Sequence, residues 1–553
     1  MNDQQLAEAW LEDFFSTYYR LAPVNATFIG VHQHDHRLPD CSGEGLAAAE
    51  DEIAALLVGS TRFGHDALDP VTRLDVELAT GYLEIQQWEM ASRHFQRGNP
   101  CYYTGEAIFG VMSLFLREFA PLEQRLDAAA ARLKAIPALL EQARTNAASS
   151  HPAWIDRAVR ECDGAIAFLE DGLPLIDTVG DLVGAAASAR QAFQQYRAYL
   201  QSSPASDADF DVACGSVTFN LLMQRGHIIN TSACEILEYA EDQAQQAESR
   251  LAEDVHLFGE SDWRNVLPQL QEFHPETSEY YDRYYAMWQK CREACEASDL
   301  LTWPDYPIRY VPRPEWSRAA APNLYFLFYR SPAPFDDVPV VDYLVTPVES
   351  EMPEDVQRQL LRANNDSVIK LNHVIHHGSI GHHVQNWHAF RAESRIGRIA
   401  SVDCASRIAL FCGGTMAEGW SSYTTELMSE TDFLTPLERY SQHHTRLRMA
   451  VRAIVDVRLH HRELTIDQAA ALYNERVGMP VAAARDEAVK NSMFPGAAMI
   501  YLIGTDMIHQ LRQDLAAQQG AAFSLRAFHD SFLSHGSIPV AMIDSLMRSD
   551  VAQ

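Results

Sequence analysis

The sequence predicts an all-α protein: a mainly helical body with a small strand-and-loop insertion around 303–348. Three observations predict it. Apolar residues recur at spacings of three and four along most of the chain. Glycine and proline are scarce within those stretches and collect at their ends. One segment breaks the pattern, "WPDYPIRYVPRPEWSRAAAPNLYFLFYRSPAPFDDVPVVDYLVTP", which is dense in proline, aromatic residues and valine and reads as loops with a few short strands. The helical windows together make roughly 60% of the chain, well above the usual third.

The elements follow in order. In "QQLAEAWLEDFFSTYYRLAP", Leu6, Trp10, Phe14 and Tyr18 are spaced by four, and the run stops at Pro23. The same spacing predicts helices near 69–97, 122–147, 152–171, 185–202, 208–224, 229–252 and 276–298. Beyond the insertion it returns at "PEDVQRQLLRANNDSVIKLNHVIHH". It continues near 415–430, 435–461, 465–477, 481–491, 496–517 and 523–534. There is no internal repeat and no low-complexity tract. The expected organisation is an N-terminal helical region 1–302, the insertion 303–348 and a C-terminal helical region 349–553, forming one compact body.

The bulk numbers exclude several classes. With 553 residues, 47% of them apolar, the chain can bury a large core. A net charge of −31 argues against nucleic acid and anionic membrane surfaces as partners. The start "MNDQQLAEAWLEDFF" lacks the basic-then-apolar layout of a signal peptide. No apolar run reaches the ~18 residues of a membrane span. Nine cysteines lack any CxxC pair, as expected of reduced thiols in the cytoplasm.

The stretch "LNHVIHHGSIGHHVQNWH" holds the chemistry, with six histidines in eighteen residues and no acid. Neutral imidazole is the commonest metal ligand. At about 100° per residue, His376 and His383 nearly stack, and His373 shares a face with His377. His376 and His382 share one only if the helix breaks between them, where Gly378 and Gly381 allow it. Adjacent His376 and His377 would share one ion only across a local break. Several ligand pairs therefore stay open.

A second stretch, "GGTMAEGWSSYTTELMSE", offers Thr415 as the cap of a helix with Glu418 in its first turn. Two imidazoles and a carboxylate form a common zinc set with an open position. Tyr501 and Arg512 are eleven apart and would share one helix face, from which Arg512 could clamp a substrate carboxylate. "HQHDHRLPD" at 32–40 reads as a surface loop. No G-x-S-x-G elbow, Walker loop or dinucleotide fingerprint is found.

"HHGSIGHHVQ" at 376–385 and "EGWSSYTTE" at 418–426 resemble the two motifs of the family called domain of unknown function 885, grouped with zincin-type metallopeptidases. "PVNATFIGVHQHDHRLPDCS", "VRAIVDVRLHHRELTIDQAA", "FPGAAMIYLIG" and "FHDSFLSHGSIPVAMI" are similar to further family segments, so the likeness covers nearly the whole chain. The resemblance implies a helical body with a metal at its centre. By position it implies His376, His382 and Glu418 as metal ligands; helix spacing alone keeps His383 or His373 in reserve. It implies supporting roles for Tyr423 and Glu426, with Tyr423 near substrate, and contact with a substrate oxyanion for His460 and Tyr501.

The sequence departs from the family pattern in three places. Ile380 replaces a proline and Arg458 a glycine. His377 stands where the family has the Glu that acts as general base on a metal-bound water. A carboxylate there takes the water's proton and hands it to the leaving nitrogen. The expected function is metal-dependent hydrolysis of an amide or peptide-like bond in a small substrate, with zinc as the ion and His377 or Glu426 as base. The alternatives are an iron or manganese oxidase or oxygenase, a lyase or isomerase, or a non-catalytic ligand-binding protein.

Overall fold

The computed structural model describes residues 1–202, 206–324, 332–402 and 408–552. Helices make up 71% of the chain. The strands among the described residues are one short parallel pair, Ile308–Pro312 and Val341–Val345, with Ile308 opposite Val341 and Pro312 opposite Val345. Both strands lie in the segment that lacks helical periodicity.

Local chemistry starts many of the helices. Asn2 and Gln5 form a reciprocal capping box on Asp3–Leu21. Thr435 and Glu438 do the same for Pro436–His460. Proline at the first helical position opens Pro23–Ile29, Pro70–Ala91, Pro100–Met112 and Pro152–Ala167. Pro23 therefore ends one helix and begins the next.

Some expectations are corrected. The helix expected near 208–224 begins only at Ser216 and runs on to His227 with a wide turn. Gly43–Gly59, Pro100–Met112 and Val540–Ala552 are helices without a sequence forecast. Thr415 is not a cap. The chain is already helical from Ala409 through Gly413, and Thr415 Oγ1 instead accepts from the Val540 N–H at 3.2 Å.

A single apolar cluster runs from Ala7 to Met547, with Trp154, Tyr284, Trp420 and Tyr473 among its fully buried members. Among the described residues no helix is long and apolar enough to cross a membrane. The strand pair and the Tyr280–Ala297 helix pack beside the histidine segment. Its other side meets the Gly414–Leu427 helix, which carries Glu418. Ile500–Gln519 runs parallel to that helix. Ile500 stands at Gly414, Gly504 at Thr415 and Gly419, and His509 at Tyr423 and Glu426. At the crossing, a Cβ on Gly419 would lie 2.6 Å from the Gly504 carbonyl carbon, so the backbones touch only because both residues are glycine.

His32, expected in a surface loop, is half-buried. Its ring stacks on Phe119 at 3.8 Å and bridges Asp35 and Asp336, each at 2.8 Å.

Candidate metal centre

Val368–Gly378 is a π-helix, with i→i+5 turns wider than those of an α-helix. Successive side chains therefore diverge by less than 100°, and the rings of His376 and His377 lie 4.5 Å apart. The helix then breaks, and a new one starts at His382. Three contacts hold the break. Trp288 Nε1 donates to Gly378 O at 3.0 Å, Trp420 Nε1 donates to Ile380 O at 2.9 Å, and Ser379 Oγ meets Cys291 Sγ at 3.1 Å. Gly381 is obligatory, because a Cβ there would sit 1.9 Å from His376 O.

The break turns His382 back onto its predecessors. Its ring centre is 5.0 Å from that of His376 and 5.4 Å from that of His377. One nitrogen from each of the three imidazoles falls within 4.8 Å of the others. Glu418 closes the group, with Oε2 3.6 Å from His376 Nε2 and 3.8 Å from His382 Nε2.

Second partners set the tautomers. His377 Nδ1–H donates to Asn372 O at 2.8 Å, and His382 Nδ1–H donates to Gln385 Oε1 at 2.9 Å. Gln385 is oriented by its own donation to Ser537 Oγ at 2.6 Å. Both rings thus carry the proton on Nδ1 and a lone pair on Nε2, as metal-bound histidines do. Burial, then the neighbouring His376 and His382, push the His377 pKa well down, so its ring is neutral.

This set fits a small cation. His382 Nε2 and Glu418 Oε2 are buried without a hydrogen-bond partner, which is costly for lone pairs shut away from water. Ligand atoms around a tetrahedral ion with bonds of 2.0–2.2 Å stand about 3.4 Å apart, close to the separations at Glu418. The Glu418 and His376 side chains are 14% and 17% exposed against 3% for His382, so access is from the Glu418–His376 side.

The other candidate residues fall elsewhere. His383 is buried against Tyr306, stacking on its ring at 4.6 Å and donating from Nε2 to Tyr306 O. His373 takes the Tyr343 hydroxyl on Nδ1 at 2.7 Å. His460 is fully buried, with Nε2 on Asn491 O at 3.0 Å and Nδ1 receiving the Cys214 N–H. Its ring neighbours are Phe219, His461 and His94, none from the histidine or glutamate segments. Glu426 binds His509 at 2.8 Å and faces Arg446. Burial raises its pKa, but these two partners outweigh it and hold the carboxyl below its usual value.

Tyr423 is buried, its hydroxyl on His529 Nε2 at 2.8 Å. Arg512 is engaged by Glu430 through both amino groups, at 2.8 and 2.7 Å, with a further bond to Tyr423. That pairing takes the geometry a substrate carboxylate would need. Tyr501 lies one helical turn before Thr505, which donates to Gly419 O at 3.3 Å, and its ring carries the Arg452 guanidinium at 4.7 Å. Sequence reasoning overlooked Asn372 and quoted Gln385 only as part of a motif, without a role; both orient the ligands. Only the i, i+3 spacing of Gln385 from His382 could have signalled one of them.

No curated protein matches the chain. A solved structure from Shewanella oneidensis, of a protein of unknown function provisionally called a lipoprotein, is 21% identical. It has a TM-score of 0.76 and matches over 99% of this chain and 100% of that one. Another from Colwellia psychrerythraea, with the same provisional description, is 18% identical. Its TM-score is 0.78, over 100% of this chain and 99% of that one. At those identities the likeness shows a shared fold. The family model described as "Bacterial protein of unknown function (DUF885)" matches residues 23–547, nearly the whole length, and the chain belongs to that family.

Proposed function

We propose that the chain is a metal-dependent enzyme in which His376, His377, His382 and Glu418 hold one divalent ion, and that it is not a peptidase of the zincin type. The observation that carries this reading is the approach of His377 to His376 and His382, with its proton held on Nδ1 by Asn372 O. His377 then serves as a third nitrogen ligand, not as a base. Three imidazoles and one carboxylate suit iron or manganese as well as zinc. Iron or manganese so held supplies one-electron chemistry with dioxygen, which makes oxidation of a small polar substrate the favoured reaction class.

The protein's part is positional. Asn372 O and Gln385 fix the imidazole tautomers, the Trp288 and Trp420 bonds fix the turn, and the buried surroundings of His382 exclude water from one side.

Hydrolysis of an amide bond with zinc is the second reading, and the motif resemblance favours it. It needs a base other than Glu418. Glu426 is engaged with His509 and Arg446, and losing a general base costs ~10²–10⁴ in rate.

The test is elemental analysis of the as-isolated full chain, followed by peptide assays of the parent and of His377→Glu. Iron or manganese with no peptidase activity is expected. Zinc together with cleavage by the parent as fast as by the Glu variant would replace this reading with the second. A chain that takes up no ion would overturn both.

A further inference from the structure

We propose that Tyr343 is a redox-active tyrosine. It yields its electron to the metal centre and its proton to His373, and Tyr310, Tyr284, Tyr280 and Tyr281 pass the electron vacancy outward. This rests on the iron or manganese reading above and adds the path by which single electrons enter that site. Tyr343 is fully buried, and its hydroxyl donates to His373 Nδ1 at 2.7 Å. Its ring stands edge-on to that of His377, with centres 6.3 Å apart at 73°. His377 is one of the three clustered imidazoles, and His373 precedes it by four residues on the same π-helix. One phenol therefore adjoins both a ligand imidazole and a base for its own proton.

The chemistry needs both neighbours. A phenol that loses an electron becomes a very strong acid, so its oxidation is feasible only where a base stands at the hydroxyl. Burial lowers the His373 pKa to about 4, and such an imidazole is still far more basic than an oxidised phenol. In the step, the Tyr343 O–H bond breaks and its proton joins His373 Nδ1. Its electron reduces an oxidised iron or manganese ion, which leaves Tyr343 as a neutral tyrosyl radical. An electron returned along the ladder from an ascorbate-like enediol, with the proton handed back by His373, restores the phenol.

Two elements outside the histidine segment build the ladder. The parallel strand register sets Tyr310 opposite Tyr343, and their rings are 5.0 Å apart. Tyr310 meets Tyr284 at 5.3 Å, Tyr284 meets Tyr280 at 5.3 Å, and Tyr280 meets Tyr281 at 5.2 Å. The last three belong to the Tyr280–Ala297 helix, where Tyr281 is partly exposed. Each step is an ordinary aromatic contact, short enough for an electron to tunnel between rings. Packing alone would be served by phenylalanine, which strands no hydroxyl in the core. Tyr280 and Tyr284 instead share a hydrogen bond at 3.0 Å between fully buried hydroxyls. Tyr423 also meets an imidazole, that of His529, but it accepts an N–H from Arg512, whose charge opposes the loss of an electron.

The test reads the tyrosine in the full-length, metal-free protein. A light flash generates tris(bipyridine)ruthenium(III) in solution, and radicals are trapped by rapid freezing and read by electron paramagnetic resonance. The parent is expected to give a tyrosyl radical coupled to one exchangeable, hydrogen-bonded proton. The signal is expected to be lost in Tyr343→Phe, to lose the proton coupling in His373→Leu, to form more slowly in Tyr310→Phe and to persist in Tyr423→Phe. The coupling is measured in the parent and needs no variant to fold. A parent radical without it, or a signal that survives Tyr343→Phe, would overturn the assignment to Tyr343, and an unchanged rate in Tyr310→Phe would overturn the ladder. Iron-loaded parent mixed with hydrogen peroxide is expected to give the same signal. Its absence from protein shown to hold iron would overturn the link to the metal centre. Failure of the ruthenium experiment sinks this proposal alone, whereas zinc in the as-isolated protein sinks the redox reading.

Discussion

The imidazoles of His376 and His382 stand edge to face at 87°, with ring centres 5.0 Å apart. On one unbroken helix, residues six apart point roughly 240° from each other. Their approach depends on the turn at Ser379–Gly381, where Gly381 passes directly beneath the His376 carbonyl.

The turn is therefore a test of the site that leaves every ligand intact. Gly381→Ala forces a methyl into a space only 1.9 Å from His376 O. Relief requires the turn to open, at a cost of about 1–3 kcal/mol or more. Metal content is expected to fall sharply although all four ligands remain. Elemental analysis showing full occupancy would mean that the turn does not set the ligand geometry.

Gln385 makes a finer test. Replacing it with Leu removes the acceptor for His382 Nδ1–H and frees the ring to rotate. Loss of such an orienting partner typically costs 10–100-fold in metal affinity, readable by competition with a chromogenic chelator. An affinity within twofold of the parent would contradict the orienting role.

Lys370 and Glu438 form a pair at 2.7 Å with side chains only 9% and 7% exposed. Lys370→Met leaves the Glu438 carboxylate buried and uncompensated, and a loss of about 3–5 kcal/mol is expected from denaturant melts. The double variant Lys370→Met, Glu438→Gln removes the stranded charge and keeps an acceptor for the Thr435 N–H. It is expected to recover most of the loss, and a double variant as unstable as the single one would refute the account.

His32 gives a pH signature far from the metal site. Burial lowers its pKa, but the hydrogen bonds and charges of Asp336 and Asp35 outweigh it and hold the ring up at about 9, against 6.5 unperturbed. A folded-state pKa above the unfolded one means stabilisation that is complete below pH 6.5 and lost as pH rises through 9. The stability gap between the parent and His32→Gln is therefore expected to narrow over that interval. A gap independent of pH would show that His32 is not charged in the folded protein.

The helices were legible where local chemistry dictates them. Apolar spacing and the Asn2 and Thr435 caps act within a few residues of chain. Gly43–Gly59 escaped because its first turn is glycine-rich, and the 208–224 window misled because a helical spacing can be met by a chain that stays irregular up to Gly215. The choice of His376 and His382 over His383 was open to geometry alone and came from motif resemblance. The break that reconciles the two readings is built by Trp288, Trp420 and Cys291, which lie about 40 to 90 residues away in sequence.

By itself the sequence determined the helical body, the non-helical insertion, and the wealth of histidine in one stretch with Glu418 and Glu426 in another. These follow from composition and short-range periodicity, which act over one or two turns of chain. The tertiary structure decided which imidazoles face Glu418, that His377 joins them instead of standing apart, and that Arg512 is bound by Glu430. Those outcomes depend on which distant partner reaches a side chain first. Glu430 reaches Arg512, and Asn372 O fixes His377. Spacing along one helix carries no record of such long-range pairing, because it is set by how separate helices pack.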